Sequence, residues 1–230
     1  KADGRLPPDL SFIASCRVDL MDTPCLEHMK KAGFRLIGYG VESFSRNTLR
    51  EYGKEEIYDK IDTTLKNTID AGIKPFLDII LVSPESTFED VSYTLGKCVE
   101  YMGKGCEISI YPTVVPFAGS GMCEDPNLQS LIRYEFITIP RTQVGVWRGV
   151  SIEPRRGELK DFVVNVNWAV KKNISKLTAE YGITRFPSRL RSLVLIWSVQ
   201  ELYPNMLSCA KDVTFDSIIK AAGVNVSKTL

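Results

Sequence analysis

The apolar residues of roughly the first 120 positions follow two alternating periods. Short runs rich in β-branched residues, such as 73–82, predict strands that are buried on both faces. Between these runs the apolar residues recur every four positions, as in 57–69, which predicts amphipathic helices. The predicted strands span 10–18, 34–41, 73–82 and 106–117, and the predicted helices span 22–33, 45–53, 55–72 and 86–103.

End signals support the first two helices. The first has Asp22 or Thr23 as its N-cap, Pro24 at its first position and Gly33 as its stop. The second begins at Ser45. Strands that alternate with helices predict a parallel sheet with right-handed crossovers, either a doubly wound sheet or an arc of a β/α barrel. In both forms ligands gather at the carboxyl ends of the strands.

The second half of the chain is less regular. It opens with a segment rich in Gly, Pro and charged residues, within which a short strand is predicted at 135–139. Helical patterns then cover 158–182, 187–204 and 214–223. We therefore place a boundary between 125 and 150, and divide the chain into residues 1–125 and a mixed, mainly helical region of residues 126–230.

Two acidic residues stand where ligands gather in such sheets. Glu42 follows the second strand, and Asp78 interrupts the apolar third strand. Each has a structural alternative, because Glu42 can be the polar lead-in to a helix and Asp78 can face water on an edge strand. Arg17 is, on its own, typical of a surface ion pair. The two glycines of "GYG", residues 38–40, permit close packing or a bulge.

Composition excludes several classes of function. The chain has 230 residues with 44% apolar and 25% charged residues, which is typical of a globular protein. Its formal net charge of +1 gives no field that favours nucleic acid or an anionic membrane. No apolar run approaches the roughly 18 to 20 residues that span a bilayer, and the first residues lack the apolar stretch of a signal peptide. We expect the protein in the cytoplasm.

Cysteine and histidine offer little chemistry. No two of the six cysteines are closer than eight positions, so neither a Cys-x2-Cys metal pair nor a dense disulfide framework is present. We expect reduced, mostly structural thiols. The single histidine, His28, falls in a helical pattern and is predicted to be a solvated helix residue. The cysteines are Cys16, Cys25, Cys98, Cys106, Cys123 and Cys209.

Three ordered blocks carry a resemblance to a known superfamily. "RVDLMDTPCLEHMKKAGFRLIGYGVESFSRNTLREYGK", "AGIKPFLDIILVSPESTFEDVSYTL" and "ISIYPTVVPFAGSGM" resemble consecutive blocks of the radical S-adenosylmethionine (SAM) enzymes. Within the superfamily the sequence is most similar to members with a "GVES" strand end, including those with a cobalamin-binding domain. The resemblance covers roughly residues 10–122.

The resemblance implies a partial parallel β/α (TIM-like) barrel of six strands, with a mainly helical region after it. By that count the first two strands are missing, because residue 10 begins the third. The Cys-x3-Cys-x2-Cys loop that supplies three cluster ligands is also absent from the sequence. The resemblance therefore implies a piece of a longer enzyme, whose missing N-terminal part would hold a [4Fe-4S] cluster and, in some members, cobalamin. The intact enzyme would cleave SAM reductively and release a 5'-deoxyadenosyl radical that acts on an unknown, small-molecule substrate.

The resemblance also implies roles for particular residues. Glu42, with Ser43 beside it, matches a polar position that contacts the SAM ribose or amino group. Asp78 matches a ribose-binding acid, and Arg17 matches a position that can pair with the SAM carboxylate or with Glu42. Backbone groups from Tyr111 to Val115 would hold adenine.

Several positions depart from the family pattern, and in "LVSPEST" the residues Ser83, Glu85 and Ser86 stand where leucine, glycine and glutamate are usual. Val82 stands in place of a glycine that lets SAM approach the backbone, and Ala118 replaces the proline of a "PFPGT" turn. Two other classes of function stay open. One is an unrelated β/α-barrel enzyme of the aldolase or isomerase type, with Glu42 and Asp78 as acid and base beside a lysine. The other is a non-catalytic binding module.

Overall fold

Four parallel strands form the central sheet of the computed structural model, which describes residue 7 and residues 9–138, 145–207 and 213–223. The strands pair in chain order, and all three pairings are parallel. The predicted parallel sheet is confirmed. The strands are β1 (Phe12–Cys16), β2 (Phe34–Glu42), β3 (Lys74–Val82) and β4 (Glu107–Thr113).

The predicted helices follow these strands as α1 (Thr23–Ala32), α2 (Arg46–Glu51), α3 (Tyr58–Asp70) and α4 (Phe88–Gly103). Helix α1 shows why the sequence signals worked. The Asp22 carboxylate accepts a hydrogen bond from the Cys25 backbone N–H at 2.8 Å, and Gly33 ends the helix at a φ of 100°. Pro24 occupies the second helical position, one later than predicted.

One face of the sheet is covered by these helices. Sequential parallel strands joined by right-handed crossovers place every connecting helix on the same side. Ile37, Leu77 and Ile79 point to that side and are fully buried. The Tyr39 hydroxyl is buried with them and hydrogen-bonds the Thr68 hydroxyl of α3 at 2.8 Å. This face is the hydrophobic base of the fold.

The opposite face carries both polar and apolar residues and is partly open. Alternate residues point to it, and the strand register places Gly40, Asp78 and Ser109 in one row across β2, β3 and β4. On β1, which is an edge strand in the described part of the chain, the Ile13 side chain is 75% exposed on this face.

The second half contains a hairpin that the sequence predicted only in part. A strand was expected at 135–139, and the structure extends it back to 132 and pairs it antiparallel with a second strand. Gly145 and Gly149 made that second strand resemble a loop, yet Gly149 has a packing reason: a Cβ there would lie 2.5 Å from Pro116 Cγ. The elements are α5 (Gly121–Glu124), α6 (Pro126–Gln129), β5 (Ile132–Thr138) and β6 (Gly145–Ile152).

The predicted long helices are confirmed as α7 (Gly157–Tyr181) and α8 (Ser188–Leu202), and the last as α9 (Phe215–Ala221). Their apolar residues join the same core as the sheet and α4. Helix α8 runs along the free edge of β4. There the Ser192 hydroxyl donates to the Ile108 carbonyl at 2.8 Å and accepts from the Ile110 N–H at 3.0 Å. A side chain thus replaces the bonds that another strand would make.

Some predictions fall outside the described residues, namely the character of the first six residues, the end of the 135–139 strand at Ile139 and the state of Cys209. The division of the chain at 125 stays a prediction. Among the helices of the described segments, none is long and apolar enough to cross a bilayer. The place of the protein in the cell stays a prediction as well.

Ser192→Ala tests the seal on the β4 edge. Losing the hydroxyl leaves a buried carbonyl and a partly buried N–H without partners, which we expect to cost about 2 kcal/mol in the free energy of unfolding. Urea denaturation measures the change. Ser188→Ala is the matched control, because its hydroxyl has no partner among the described residues, and it should cost less than about 0.5 kcal/mol. Equal losses in both variants would contradict this role.

Candidate functional site

The carboxyl end of β2 is strained at Glu42. Its φ of 63° lies in the left-handed region, and no other non-glycine residue of the described segments has a positive φ. The pairing of β2 with β3 shifts register between Gly40 and Glu42, which is the bulge that the glycines permitted. Backbone strain of this kind persists only where the surroundings fix it, and it is common at functional sites.

The turn after Glu42 is fastened to α4. The Ser43 hydroxyl hydrogen-bonds the Thr94 hydroxyl at 3.0 Å, and the Ser45 hydroxyl donates to Asp90 at 2.5 Å. Asp90 also accepts from the N–H and hydroxyl of Thr87 at 2.9 and 2.7 Å, which caps α4. Burial pushes the pKa of Asp90 upward, but the hydrogen bonds from Ser45 and Thr87 outweigh it and lower this pKa. The Ser43 hydroxyl is therefore occupied by its hydrogen bond to Thr94, which is a structural contact to α4.

The Glu42 carboxylate lies against its own strand. Lys54 Nζ donates to Glu42 Oε1 at 2.7 Å, and both side chains are mostly buried. A Cβ on Gly40 would lie 2.9 Å from the same oxygen, so the glutamate occupies the space that a side chain at position 40 would need. The position of the Glu42 side chain thus requires glycine at position 40. The charge of Glu42 requires a cation beside it, which Lys54 supplies. Sequence reasoning missed Lys54, whose contact depends on the fold.

Asp78 lies beside this pair with no partner of its own. It is in register with Gly40 on the inner strand β3, which shows that the edge-strand interpretation is wrong. Burial raises the pKa of Asp78, and the nearby Glu42 charge raises it further. The side chain is half-buried, and it makes no hydrogen bond or ion pair with any described residue. Its acceptor oxygens are available to a ligand.

The other predicted site residues lie farther along this edge. Arg17 donates to Asp19 at 3.0 Å and to Glu56 at 3.1 Å, so the structure forms a surface ion-pair cluster there and no pair with Glu42. Tyr111 and Val115 are 47% and 42% exposed at and after the end of β4.

A buried hydroxyl near the same edge was not predicted. The Tyr52 hydroxyl is buried and has no hydrogen-bond partner among the described residues. Burial raises the pKa of Tyr52, the charges of Glu51 and Glu42 add to this, and the neighbouring Ser83 hydroxyl lowers it. The Tyr52 hydroxyl therefore lies beside the Ser83 and Glu51 side chains of the loop after β3. Only its place just before Gly53 marked it in the sequence.

The loop after β3 is held by a second buried acid. Glu51 accepts a hydrogen bond from the Ser83 hydroxyl, and burial raises the pKa of Glu51. Ser83 also contacts the Ser86 hydroxyl at 2.7 Å, while Val82 is fully buried. The residues that depart from the family pattern in "LVSPEST" thus build their own hydrogen-bonded loop.

The described residues do not fit an iron–sulfur cluster. Their five cysteines are free and scattered, and no group of three His, Cys, Asp or Glu side chains in the described segments is placed to hold a metal ion. Burial raises the pKa of the Cys98 thiol, which disfavours the thiolate that metals need. His28 is exposed on α1, with its Nδ1 at 2.6 Å from the Pro24 carbonyl.

The arrangement is rich in hydrogen-bond acceptors. Two carboxylates, one of them unpaired, lie on neighbouring strands: Glu42 ends β2, and Asp78 lies midway along β3 on the open face. Such a set suits a ligand with hydroxyl or ammonium donors, because charge-assisted hydrogen bonds are the stronger kind.

Comparison with known proteins places the fold. No protein-family model matches the chain, and no curated protein does. Among solved structures, the chain has the fold of part of a SAM radical enzyme. That structure is the cobalamin-dependent SAM radical enzyme OxsB with aqua-cobalamin bound, with a TM-score of 0.51 and 14% identity. The match covers 94% of this chain and 38% of that chain.

Two other structures match more weakly. Coproporphyrinogen III oxidase (HemN) from Escherichia coli, a radical SAM enzyme, matches 44% of this chain and 23% of its own at 21% identity and a TM-score of 0.39. The radical SAM methyltransferase TsrM from Kitasatospora setae, with cobalamin and a [4Fe-4S] cluster bound, matches 66% of this chain and 30% of its own. Its identity is 15% and its TM-score 0.40. The chain spans less than half the length of each of these proteins.

Asp78→Asn tests the unpaired acid. The folded state binds the Asp78 proton more tightly than the unfolded chain does, so wild-type stability rises as the pH falls through the raised pKa. We expect the variant to be more stable than wild type at pH 7, with a gap that shrinks as the pH approaches the ordinary value of 3.8. Urea denaturation between about pH 4 and 7 measures it. The exposed Asp161→Asn should stay within about 0.5 kcal/mol throughout, and a pH-independent gap for Asp78→Asn would contradict the assignment.

A pair of variants isolates the strain at Glu42. Glu42→Gln and Glu42→Asn both remove the charge, but asparagine tolerates the left-handed region better than glutamine. We expect the asparagine variant to be more stable by about 1 kcal/mol in urea denaturation. At the helical control position Glu180, glutamine should be the more stable substitution. The same order at both positions would argue against strain.

Proposed function

We propose that the chain is part of a radical SAM enzyme and that the carboxyl edge of β2 and β3 binds SAM. The observation that carries the proposal is the unpaired, half-buried Asp78 on the open face of β3, beside Glu42, which ends β2 at the edge where ligands of parallel sheets gather. The fold shared with part of OxsB supports it.

Each residue has a stated share in the proposed site. Asp78 accepts hydrogen bonds from the ribose hydroxyls, and Glu42, held by Lys54, accepts from the amino group. We keep the adenine contact for Tyr111 and Val115, whose exposed side chains leave room there. The Val114 carbonyl between them already accepts from the Ile152 N–H at 2.8 Å, so the adenine contacts fall on the other backbone groups.

Arg17 and Ser43 have smaller shares in this proposal. Arg17 reaches a SAM carboxylate only by leaving Asp19 and Glu56. Ser43 acts through its hydrogen bond to Thr94, which fixes the backbone that presents Glu42.

The cluster belongs to another part of the enzyme in this proposal. A reduced [4Fe-4S] cluster supplies the electron that makes SAM a radical source, and its ligands are proposed to lie on an N-terminal segment beyond this chain. The share of the described residues is to bind and orient the nucleoside. We assign no cobalamin ligand among them, because the one histidine lies on an exposed helix.

One observation bears on the alternative barrel enzyme. An aldolase-type reaction needs a free lysine beside the acids, and Lys54 does contact Glu42. It is held there in an ion pair, which suits a positioning role better than attack on a carbonyl. Borohydride trapping of a lysine adduct would support that alternative.

SAM binding by the 230-residue chain tests the proposal. We expect Glu42→Gln and Asp78→Asn each to weaken SAM binding about tenfold in calorimetric titration, since each removes a charge-assisted hydrogen bond. Gly40→Ala should weaken it similarly while keeping both charges, because its Cβ displaces the Glu42 carboxylate.

The matched control is Glu107→Gln. Glu107 is also an ion-paired glutamate, bound to Lys74 at 2.9 Å, but it lies at the amino end of the strands. Its loss should leave SAM binding unchanged. Equal weakening by Glu107→Gln, or unchanged binding in Asp78→Asn, would refute the site. The radical SAM assignment itself fails if a longer protein from the same reading frame carries no Cys-x3-Cys-x2-Cys segment.

A further inference from the structure

A trough runs along the open side of β4, between that strand and α7. It consists of two adjoining cavities of about 380 and 450 Å³, which share Tyr111, Pro112 and Asn167. Volumes of this size accommodate small organic ligands. The trough contains neither Glu42, Lys54 nor Asp78, but Tyr111 and Val115, the proposed adenine contacts, lie on its wall.

Two cations line the first cavity. The Arg133 guanidinium of β5 makes no hydrogen bond or ion pair with any described residue. Lys160 of α7 contacts only Glu153 there, at 3.4 Å. Ser151, opposite Arg133 on β6, and Asn167 also have side chains without partners in the described segments. The lining therefore carries two cations against one carboxylate, with free hydrogen-bonding groups around them.

The rest of the lining is apolar. Val115, Val150 and Val163 form its walls with the exposed Tyr111 ring, and Val164 is 64% exposed toward solvent beside them. An apolar wall with a cationic end is complementary to a molecule with a flat apolar body and an anionic group. A bidentate guanidinium binds a carboxylate or a phosphate equally well in geometry.

The trough adjoins the acidic edge of the sheet. Tyr111 is in register with Ile80, and Ser109, which lines the second cavity, is in register with Asp78. A molecule in the trough thus lies one strand away from Asp78, the residue proposed to hold the ribose.

We propose that this trough binds a small organic anion through Arg133 and Lys160, with its apolar body against Val150 and Val163, and that this anion is the substrate of the enzyme. In naming the anion a substrate, the inference rests on the proposed function. The binding site itself stands on the geometry of the trough.

Three probes of the same shape test the charge requirement on the 230-residue chain. 1-Naphthyl phosphate and 1-naphthoate carry the two candidate anions, and 1-naphthol carries none. We expect one or both anions to bind at least about tenfold more tightly than 1-naphthol in calorimetric titration. The probe that binds more tightly shows whether the trough prefers a phosphate or a carboxylate. Binding of 1-naphthol as tightly as both anions, or of no probe at about 1 mM, would overturn the proposal.

Charge-removing variants locate the probe. Arg133→Gln and Lys160→Gln should each weaken the anionic probe about tenfold and leave 1-naphthol unchanged. Arg148→Gln is the matched control, because Arg148 lies on the same hairpin, outside the trough, 3.7 Å from Glu135. Full binding in Arg133→Gln, or an equal loss in Arg148→Gln, would overturn the site.

The probes are titrated without SAM, so the two proposals fail separately. If the wild-type chain binds the anion but does not bind SAM, the proposed function is refuted and the anion is no longer assigned as a substrate. If the chain binds SAM but binds the anionic probes no more tightly than 1-naphthol, only the trough proposal is refuted.

Discussion

The Asp90 carboxylate is the point on which the site depends. It collects hydrogen bonds from Ser45, which precedes α2, and from Thr87, which precedes α4. The connections that leave β2 and β3 are thereby tied to each other behind the sheet. Because this tie is buried and complete, the short turn after β2 has little freedom. The backbone at Glu42 can then be held in a conformation that an isolated glutamate would avoid.

The two neighbouring acids behave differently because the fold surrounds them differently. Glu42 pairs with Lys54 and lies in the space beside Gly40. Asp78 has no such cation, and burial and the charge beside it both work against its ionisation. A protein that only needed to fold would gain from an apolar residue at position 78. The cost of keeping an acid there is the physical argument for a ligand at this edge.

Local signals accounted for much of the fold and for part of the site. The periods of apolar residues and the caps at Asp22 and Gly33 depend on neighbours in sequence, and these elements formed where expected. The placement of Glu42 and Asp78 on neighbouring strands followed from the predicted order of a parallel sheet. Lys54, Tyr52 and the Ser192 seal required knowledge of which distant segments meet. The strand at 145–152 was missed because a glycine such as Gly149 is as compatible with a loop as with close packing against Pro116.

Gly40 has a consequence for how this edge can vary. The Glu42 carboxylate fills the volume that any larger residue at position 40 would claim. The Glu42 side chain therefore fills the space at both positions, 40 and 42. Substitution at either changes the same patch of negative potential. Selection on that patch would therefore act on positions 40 and 42 together, although only Glu42 carries the charged group.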